Sequence, residues 1–284
     1  MDTRMTQPRQ IQISFIGGGN MARSLVGGLL ARGASPATIH VAEPHAPLRE
    51  ALVRDFSVNV HADNADAAGR GAVWVFATKP QVLRSVAQAL APVAQQARPL
   101  VISIAAGISS TQLERWLGGN LAVVRTMPNT PALLGAGATG LFANPRVDPE
   151  QHALAESLMA ATGLTAWIPD ETQMDAVTGL SGSGPAYVFL LAEAMQAAGE
   201  AQGLDPETSR TLALQTILGA ARMLTESGEP AAVLRQRVTS PGGTTQAALD
   251  AFEAGGFREL VATAISAATH RGAELSAANE APDA

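Results

Sequence analysis

A glycine-rich segment near the start of the chain constrains the fold more than any other feature. An apolar run, Ile11–Ile16, leads directly into the segment Gly17–Ala22, which has the spacing G-x-G-x-x-A and opens a stretch of helical periodicity. In such a segment the first glycine permits a tight turn, the second lets a pyrophosphate approach the backbone, and the last small residue allows close helix–strand packing. The segment therefore predicts a strand, a turn and a helix that bind a dinucleotide.

Short apolar runs then alternate with helical patterns over about the first 170 residues. After the first strand, we predict strands at Thr38–Ala42, Ala72–Ala77, Leu100–Ile104, Val123–Arg125, Thr139–Phe142 and Thr165–Ile168. The predicted helices between them are Met21–Ala31, Pro47–Asp55, Gln81–Leu90 and Pro149–Ala161. This alternation favours an α/β fold with a doubly wound, mostly parallel sheet.

The second part of the chain has helical patterns only. They cover Met174–Gly203, Pro206–Ser227, Pro230–Arg237, Thr245–Ala254 and Phe257–Leu275. Their apolar surface exceeds what a solvated monomer would expose, which predicts a dimer interface. The predicted architecture is thus a Rossmann-type dinucleotide-binding domain, residues 1–170, followed by an all-helical dimerisation and substrate domain, residues 171–284.

The composition excludes several classes of protein. The 284 residues carry a net charge of −6, with 19 Lys and Arg spread along the chain, so we expect no nucleic-acid partner. The chain has no cysteine, which excludes disulfides and thiolate zinc sites, and we predict no metal site. No apolar run reaches the roughly 18 residues of a membrane span. We therefore expect a cytoplasmic protein that does not enter a membrane.

Two charged residues bear on the identity of the cofactor. Glu43 ends the second predicted strand, where an acid usually binds the ribose hydroxyls of NAD and repels a 2′-phosphate. A solvent-exposed loop acid is the alternative, and Arg49 could reach a phosphate from the following helix. The sequence leaves NADPH and NADH both open, and Glu43 argues against a strict need for NADPH.

Two further segments follow predicted strands at the edge where the cofactor crevice is expected. Phe76–Pro80 contains Lys79, the only lysine of the chain, which we expect to line the cofactor rather than to be a plain surface charge. Ser103–Gly107 has small residues on both sides of Ala106, which leave room for a flat nicotinamide ring.

Three more motifs are hard to explain by packing alone. They are Arg125–Pro131, Thr178–Tyr187 and Thr239–Thr245. Together with the glycine motif, their order and spacing resemble the pyrroline-5-carboxylate reductase family over nearly the full chain. The resemblance implies a Rossmann-type domain, a helical dimerisation domain, an active site shared between them at the dimer interface, and dimers that can associate into a ring.

The resemblance also implies individual site residues. The positions that contact the cofactor in the family correspond here to Gly17, Gly18, Gly19, Asn20, Met21, Ala22, Asn64, Ala77, Thr78, Lys79, Pro80 and Ala106. The positions that contact the substrate in the family correspond to Glu171, Thr244 and Thr245, with Ser240 and Gly243 nearby. There are two departures from the family pattern. Glu43 stands where the family often has a small hydroxyl residue. Arg237 stands at a substrate-side position where the family often has Asn or another small polar residue, so no role is transferred to Arg237.

The residues also suggest a mechanism. The segment Ser240–Thr245 leads into a helix whose free N–H groups suit a small carboxylate, and either Thr244 or Thr245 is expected to cap that helix. We predict that the Thr245 hydroxyl binds the ring nitrogen of a cyclic imino acid and is the catalytic residue. Asn129 and Thr130 are expected to cap the pocket from the first domain, with Asn129 among the cofactor contacts. A Pro-rich turn with self-capping side chains is the alternative.

Three rival functions remain at this point. A β-hydroxyacid dehydrogenase has a similar plan, but the second domain here has no lysine and only His270 as a histidine. A protonated imine needs little side-chain acid–base help, so a reductase that makes L-proline from 1-pyrroline-5-carboxylate fits better. An imine reductase for a related ring is the closest alternative, and a non-catalytic nucleotide sensor is the third.

Overall fold

The computed structural model describes residues 11–279, which form two compact units. Unit 1 comprises residues 11–182 and 268–279, and unit 2 comprises residues 183–267. Compact units need not coincide with domains, so the boundary expected after residue 170 stays a prediction.

Unit 1 is built on one sheet. Its strands are β1 (Ile13–Ile16), β2 (Ile39–Ala42), β3 (Asn59–His61), β4 (Val73–Phe76), β5 (Leu100–Ser103), β6 (Val123–Met127), β7 (Gly137–Ala143) and β8 (Gly163–Trp167). Within the described residues the order is β3-β2-β1-β4-β5-β6-β7-β8, and every neighbouring pair is parallel except β6 and β7. The chain fills one side of β1 with β2 and β3 and then crosses to β4 on the other side. This reversal is the topological switch point at which doubly wound sheets bind ligands.

Both faces of the sheet are covered, which explains the continuous apolar runs. All residues of β1, β4 and β5 are buried. Successive residues alternate between two cores: Phe15 packs with Leu25 on one face, while Ile16 packs with Trp74 on the other. Parallel sheets with helices on both faces require this pattern, and it made the central strands recognisable in the sequence.

Helices surround the sheet and form all regular structure of unit 2. Those that begin in unit 1 are α1 (Asn20–Ala31), α2 (Ala46–Phe56), α3 (Asn64–Ala68), α4 (Pro80–Ala97), α5 (Ser110–Trp116), α6 (Pro149–Met159) and α7 (Met174–Val177). The later ones are α8 (Gly184–Ala201), α9 (Pro206–Glu226), α10 (Ala231–Arg237), α11 (Thr244–Ala254) and α12 (Phe257–Ala278). None of these helices combines the length and apolarity that crossing a bilayer would require.

The structure divides one predicted helix and adds three short elements that were not predicted. The pattern over Met174–Gly203 is not one helix, because a wide turn of π type at Thr178–Gly182 separates α7 from α8. Pro185 lies in the first turn of α8, a position that suits a residue without an N–H group. The prediction also missed β3, α3 and α5, which are too short to show a clear period.

Candidate functional site

The glycine turn lies at the switch point between β1 and β4. Gly17 has a φ of +107°, and a Cβ there would lie 2.7 Å from the Ala77 carbonyl oxygen. A side chain at this position would be strained and would collide with backbone. Gly17 therefore lets the turn lie directly against the end of β4.

The start of α1 faces open space. Gly19 is the N-cap, and within residues 11–279 no side chain caps the helix. A Cβ added to Gly19 would meet no heavy atom within 4 Å, whereas Ala22 is fully buried against the sheet. The first N–H groups of this 12-residue helix are thus available to an anion, and the helix dipole favours one.

Glu43 follows β2, and its carboxylate reaches back to the glycine turn. Oε2 accepts a hydrogen bond from the Gly18 N–H at 3.1 Å, and Oε1 accepts one from the His45 N–H at 3.0 Å. The residue is 8% exposed. Two backbone donors therefore fix a negative charge at the end of β2, where an acid in this fold receives the ribose hydroxyls.

Arg49, in α2, contacts the backbone of the turn that follows β2. Its Nη1 donates to the carbonyl oxygens of Glu43 and Pro44, both at 2.7 Å. Arg49 therefore stabilises the turn after β2 and brings a positive charge close to the Glu43 backbone.

The end of β4 supplies the other wall of the crevice. The hydroxyl of Thr78 is buried and has no hydrogen-bond partner among the described residues. Lys79 is exposed at the N-cap of α4, and Pro80 is the first residue of that helix. A buried hydroxyl without a partner is unfavourable unless a ligand supplies one. Together with the space over Gly19, it fits a bound dinucleotide.

Contacts connect some of the predicted cofactor residues and leave others apart. Gly17 meets Ala77, and Gly18 meets Glu43, so these four belong to one site. Asn20 and Met21 open α1, Asn64 opens α3, and Ala106 is exposed in the loop after β5. Their cofactor contacts stay predictions.

Asn129 has a well-defined role within the protein. Its Nδ2 donates to the Ser181 carbonyl oxygen at 3.0 Å, and its Oδ1 accepts from the Ala138 N–H at 2.9 Å. The side chain thus joins the segment after β6 to β7 and to the turn before α8. Its contact with a cofactor stays a prediction.

Glu171 lies in a polar network that the sequence did not reveal. Both of its carboxylate oxygens accept from Ser110 at 2.6 Å, one from the N–H and one from the hydroxyl. Arg125, whose side chain is 7% exposed, lies 3.3 Å from Glu171 and 3.7 Å from Asp175. The sequence did contain one indication of this network. Arg125 is a charged residue within an apolar strand, and a buried charged residue needs a partner of opposite charge. The substrate contact of Glu171 stays a prediction.

Unit 2 contains a second uncapped helix start. Gly243 is the N-cap of α11, with no side-chain cap among the described residues. The expectation that Thr244 or Thr245 caps this helix is therefore wrong: both lie inside its first turn. Gly242 has a φ of +68°, and the Gly243 N–H donates to the Ser240 carbonyl oxygen at 3.0 Å. This turn leaves the Thr244 and Thr245 N–H groups for an anion such as a carboxylate.

Arg237 ends α10, just before this turn, and forms an ion pair with Glu229. Its charge is therefore already partnered within unit 2.

The fold of unit 1 and the candidate site at its switch point define an NAD(P)-binding domain of an oxidoreductase. This dinucleotide cradle consists of the glycine turn, the start of α1, Glu43 and the end of β4. A family model described as NADP oxidoreductase coenzyme F420-dependent matches residues 12–107. A second model, described as pyrroline-5-carboxylate reductase dimerisation, matches residues 171–275.

Full-length relatives identify the family. The chain is 51% identical to the pyrroline-5-carboxylate reductase of Pseudomonas aeruginosa over 95% of its own length and 98% of that protein. It is 44% identical to that of a Synechocystis species over 93% and 98% of the two chains. The structure of a pyrroline-5-carboxylate reductase from Coxiella burnetii superposes with a TM-score of 0.91 at 46% identity, covering 94% and 99% of the chains. A Plasmodium falciparum pyrroline carboxylate reductase with NADP bound gives 0.83 at 30% identity, covering 95% and 100%. The chain belongs to the pyrroline-5-carboxylate reductase family.

Proposed function

We propose that this chain catalyses the NAD(P)H-dependent reduction of 1-pyrroline-5-carboxylate to L-proline, the last step of proline biosynthesis. The observation that carries the proposal is the 51% identity to a pyrroline-5-carboxylate reductase over nearly the whole chain. The dinucleotide cradle of unit 1 and the uncapped helix start of unit 2 supply the two kinds of binding site that this reaction needs.

The cofactor is held at the switch point of the sheet. The N–H groups at the start of α1 bind the pyrophosphate next to Gly19, and the Glu43 carboxylate receives the ribose hydroxyls. The buried Thr78 hydroxyl and the exposed Lys79 lie at the end of β4 for the nicotinamide half. The remaining proposed contacts are Asn20, Met21, Asn64, Ala77, Pro80, Ala106 and Asn129.

The substrate carboxylate binds at the start of α11. The Thr244 and Thr245 N–H groups carry the positive end of the helix dipole, and no side chain of the described residues competes for them. Ser240 and Gly243 shape the turn through their backbone hydrogen bond. The Thr245 hydroxyl is then the group that binds the ring nitrogen. Glu171 is proposed as a further substrate contact.

Reduction of the imine requires positioning more than acid–base chemistry. A bound NAD(P)H supplies the hydride. When the hydride adds to the imine carbon, C2 of the substrate and C5 of the product proline, the electron pair of the C=N bond moves onto the protonated nitrogen and neutralises it. No proton therefore has to be transferred in that step. Alignment of two reactants can lower a barrier by about 7–11 kcal/mol. The single lysine, Lys79, lies in unit 1, which agrees with a reaction that uses no lysine on the substrate side.

The family model for dimerisation matches most of the helical part of the chain. Large apolar side chains are exposed on unit 2, among them Phe189, Leu190 and Leu260. We propose a cytoplasmic homodimer formed through these helices, with dimers joined into a ring, and with neither nucleic acid nor membrane as a partner.

Steady-state kinetics with 1-pyrroline-5-carboxylate and either reduced cofactor test the function. We expect consumption of the reduced nicotinamide with formation of proline, and much slower turnover of the six-membered analogue. Cofactor binding without consumption would contradict the proposal.

Thr245→Ala should lower kcat by about a hundredfold, because the ring nitrogen loses its hydrogen-bonding partner. Thr245→Ser keeps the hydroxyl and should retain most of the activity. Thr263→Ala removes an exposed hydroxyl that donates to the Glu259 carbonyl oxygen of its own helix, and it serves as the matched control. Near-wild-type turnover of Thr245→Ala would refute the role of this residue.

A further inference from the structure

The loop between β5 and α5 is bound by a residue far along the chain. It comprises residues 104–109, with Ala106 exposed and Gly107 and Ile108 buried. The Gly107 carbonyl oxygen accepts a hydrogen bond from Asn279 Nδ2 at 2.9 Å, across 172 residues of sequence. Asn279 follows the last turn of α12, and this part of the helix belongs to unit 1.

The backbone of the loop lies directly on α12. A Cβ added to Gly107 would lie 3.4 Å from Asn279 Nδ2 and 3.7 Å from the Leu275 Cβ. Gly107 also has a φ of +70°, which a side chain would disfavour. The position next to Ala106 is therefore shaped to fit this helix end.

A second connection joins the same helix end to the other end of the loop. The Ser276 hydroxyl donates to Asp175 Oδ1 at 3.3 Å. Asp175 lies beside Arg125, which pairs with Glu171, and Glu171 binds both the N–H and the hydroxyl of Ser110, the first residue of α5. The end of α12 is thus linked to Gly107 directly and to Ser110 through a partly buried ionic network.

We propose that the last turns of α12, residues 268–279, position the β5–α5 loop against the nicotinamide, with Asn279 as the positioning residue. The inference rests on the proposed function, because it takes Ala106 to lie beside the nicotinamide ring. The hydrogen bond to Gly107 fixes the peptide that follows Ala106, so it sets how closely this loop approaches the ring.

The two ends of the cofactor should respond differently to loss of this contact. The pyrophosphate and the ribose bind at α1 and Glu43, which do not depend on Asn279. The distance between C4 of the nicotinamide and the imine carbon depends on the loop. A shift of a fraction of an ångström at reacting atoms lowers turnover with little effect on ground-state binding.

Asn279→Asp tests the proposal, because a carboxylate of similar size cannot donate to the Gly107 carbonyl oxygen. We expect kcat to fall about tenfold and the Kd for NADH, measured by its fluorescence, to stay within about twofold. The deuterium isotope effect on kcat with C4-deuterated cofactor should rise, because hydride transfer becomes more rate-limiting. Hydrogen exchange at residues 104–109 should become faster in the protein without cofactor.

Glu274→Gln is the matched control, since it removes a charge on an exposed side chain of the same helix. It should leave all four measurements unchanged. Asn279→Ala serves as a second variant if Asn279→Asp does not fold.

If hydrogen exchange in the loop of the Asn279 variant is as slow as in the wild-type protein, or if kcat and the isotope effect are unchanged, the positioning role is overturned. Absence of turnover already in the wild-type protein would count against the proposed reaction, and hydrogen exchange would still decide whether Asn279 holds the loop.

Discussion

Replacing Glu43 with glutamine removes a negative charge beside the glycine turn and preserves the size of the side chain. In the native protein the carboxylate is held by the Gly18 and His45 N–H groups. NADPH would bring a 2′-phosphate to this position, whereas NADH brings a hydroxyl that the carboxylate can accept. We therefore expect the wild-type protein to prefer NADH.

The size of the preference follows from the charges. Two unit charges about 5 Å apart repel by about 3 kcal/mol at an effective dielectric constant of about 20. Arg49 offsets part of this repulsion, because its guanidinium donates to the Glu43 carbonyl oxygen at 2.7 Å. A net penalty of about 2 kcal/mol corresponds to about a thirtyfold higher kcat/KM with NADH.

Glu43→Gln should raise the ratio of kcat/KM for NADPH over NADH by about tenfold or more, as measured by steady-state kinetics with both cofactors. The amide can accept from only one of the two N–H groups, so the free energy of unfolding should fall by about 1–2 kcal/mol. Glu50→Gln makes the same charge change on an exposed residue of α2 and is the control. A wild-type preference for NADPH, or an unchanged ratio in Glu43→Gln, would refute the reasoning.

Two further predictions concern stability. Gly17→Ala should lower the free energy of unfolding by about 2 kcal/mol or more in urea titrations, because of its positive φ and the Ala77 carbonyl 2.7 Å from the new Cβ; wild-type stability would contradict the strain. Burial lowers the pKa of His40, and the neighbouring basic side chains His61 and Arg70 lower it further. The folded state thus favours neutral His40, and stability should decrease as the pH falls below about 6.5. His40→Gln should flatten this pH dependence, and equal slopes for the two proteins would contradict it.

The central sheet was predictable because burial on both faces leaves a direct record in the sequence. β1, β4 and β5 are short, wholly buried and mostly apolar, and each is followed by a helix. By contrast, β3 has three residues and α3 has five, which is too few to show a period. The helix α5 did carry a signal, because Ser109 and Gln112 form a capping box, but its seven residues lie close to the apolar strand before it.

Those parts of the candidate site that lie within one short segment of the sequence were predictable. The spacing from Gly17 to Ala22 and an acid at the end of β2 are features of short segments. The ionic network was not predictable in this way, since Ser110 and Glu171 are 61 residues apart and only the folded sheet brings them together. The contact between Gly107 and Asn279 spans 172 residues and leaves no pattern in the sequence at all.

Hydride transfer from C4 of the nicotinamide to the imine carbon of the substrate, C2 of 1-pyrroline-5-carboxylate and C5 of the product proline, is the central claim. Deuterium labelling tests it most directly. The protein is incubated with 1-pyrroline-5-carboxylate and NADH deuterated on the transferable C4 position, and the product is analysed by mass spectrometry and NMR. We expect L-proline with one deuterium at C5. Proline without the label at C5, or no proline despite cofactor binding, would contradict the account.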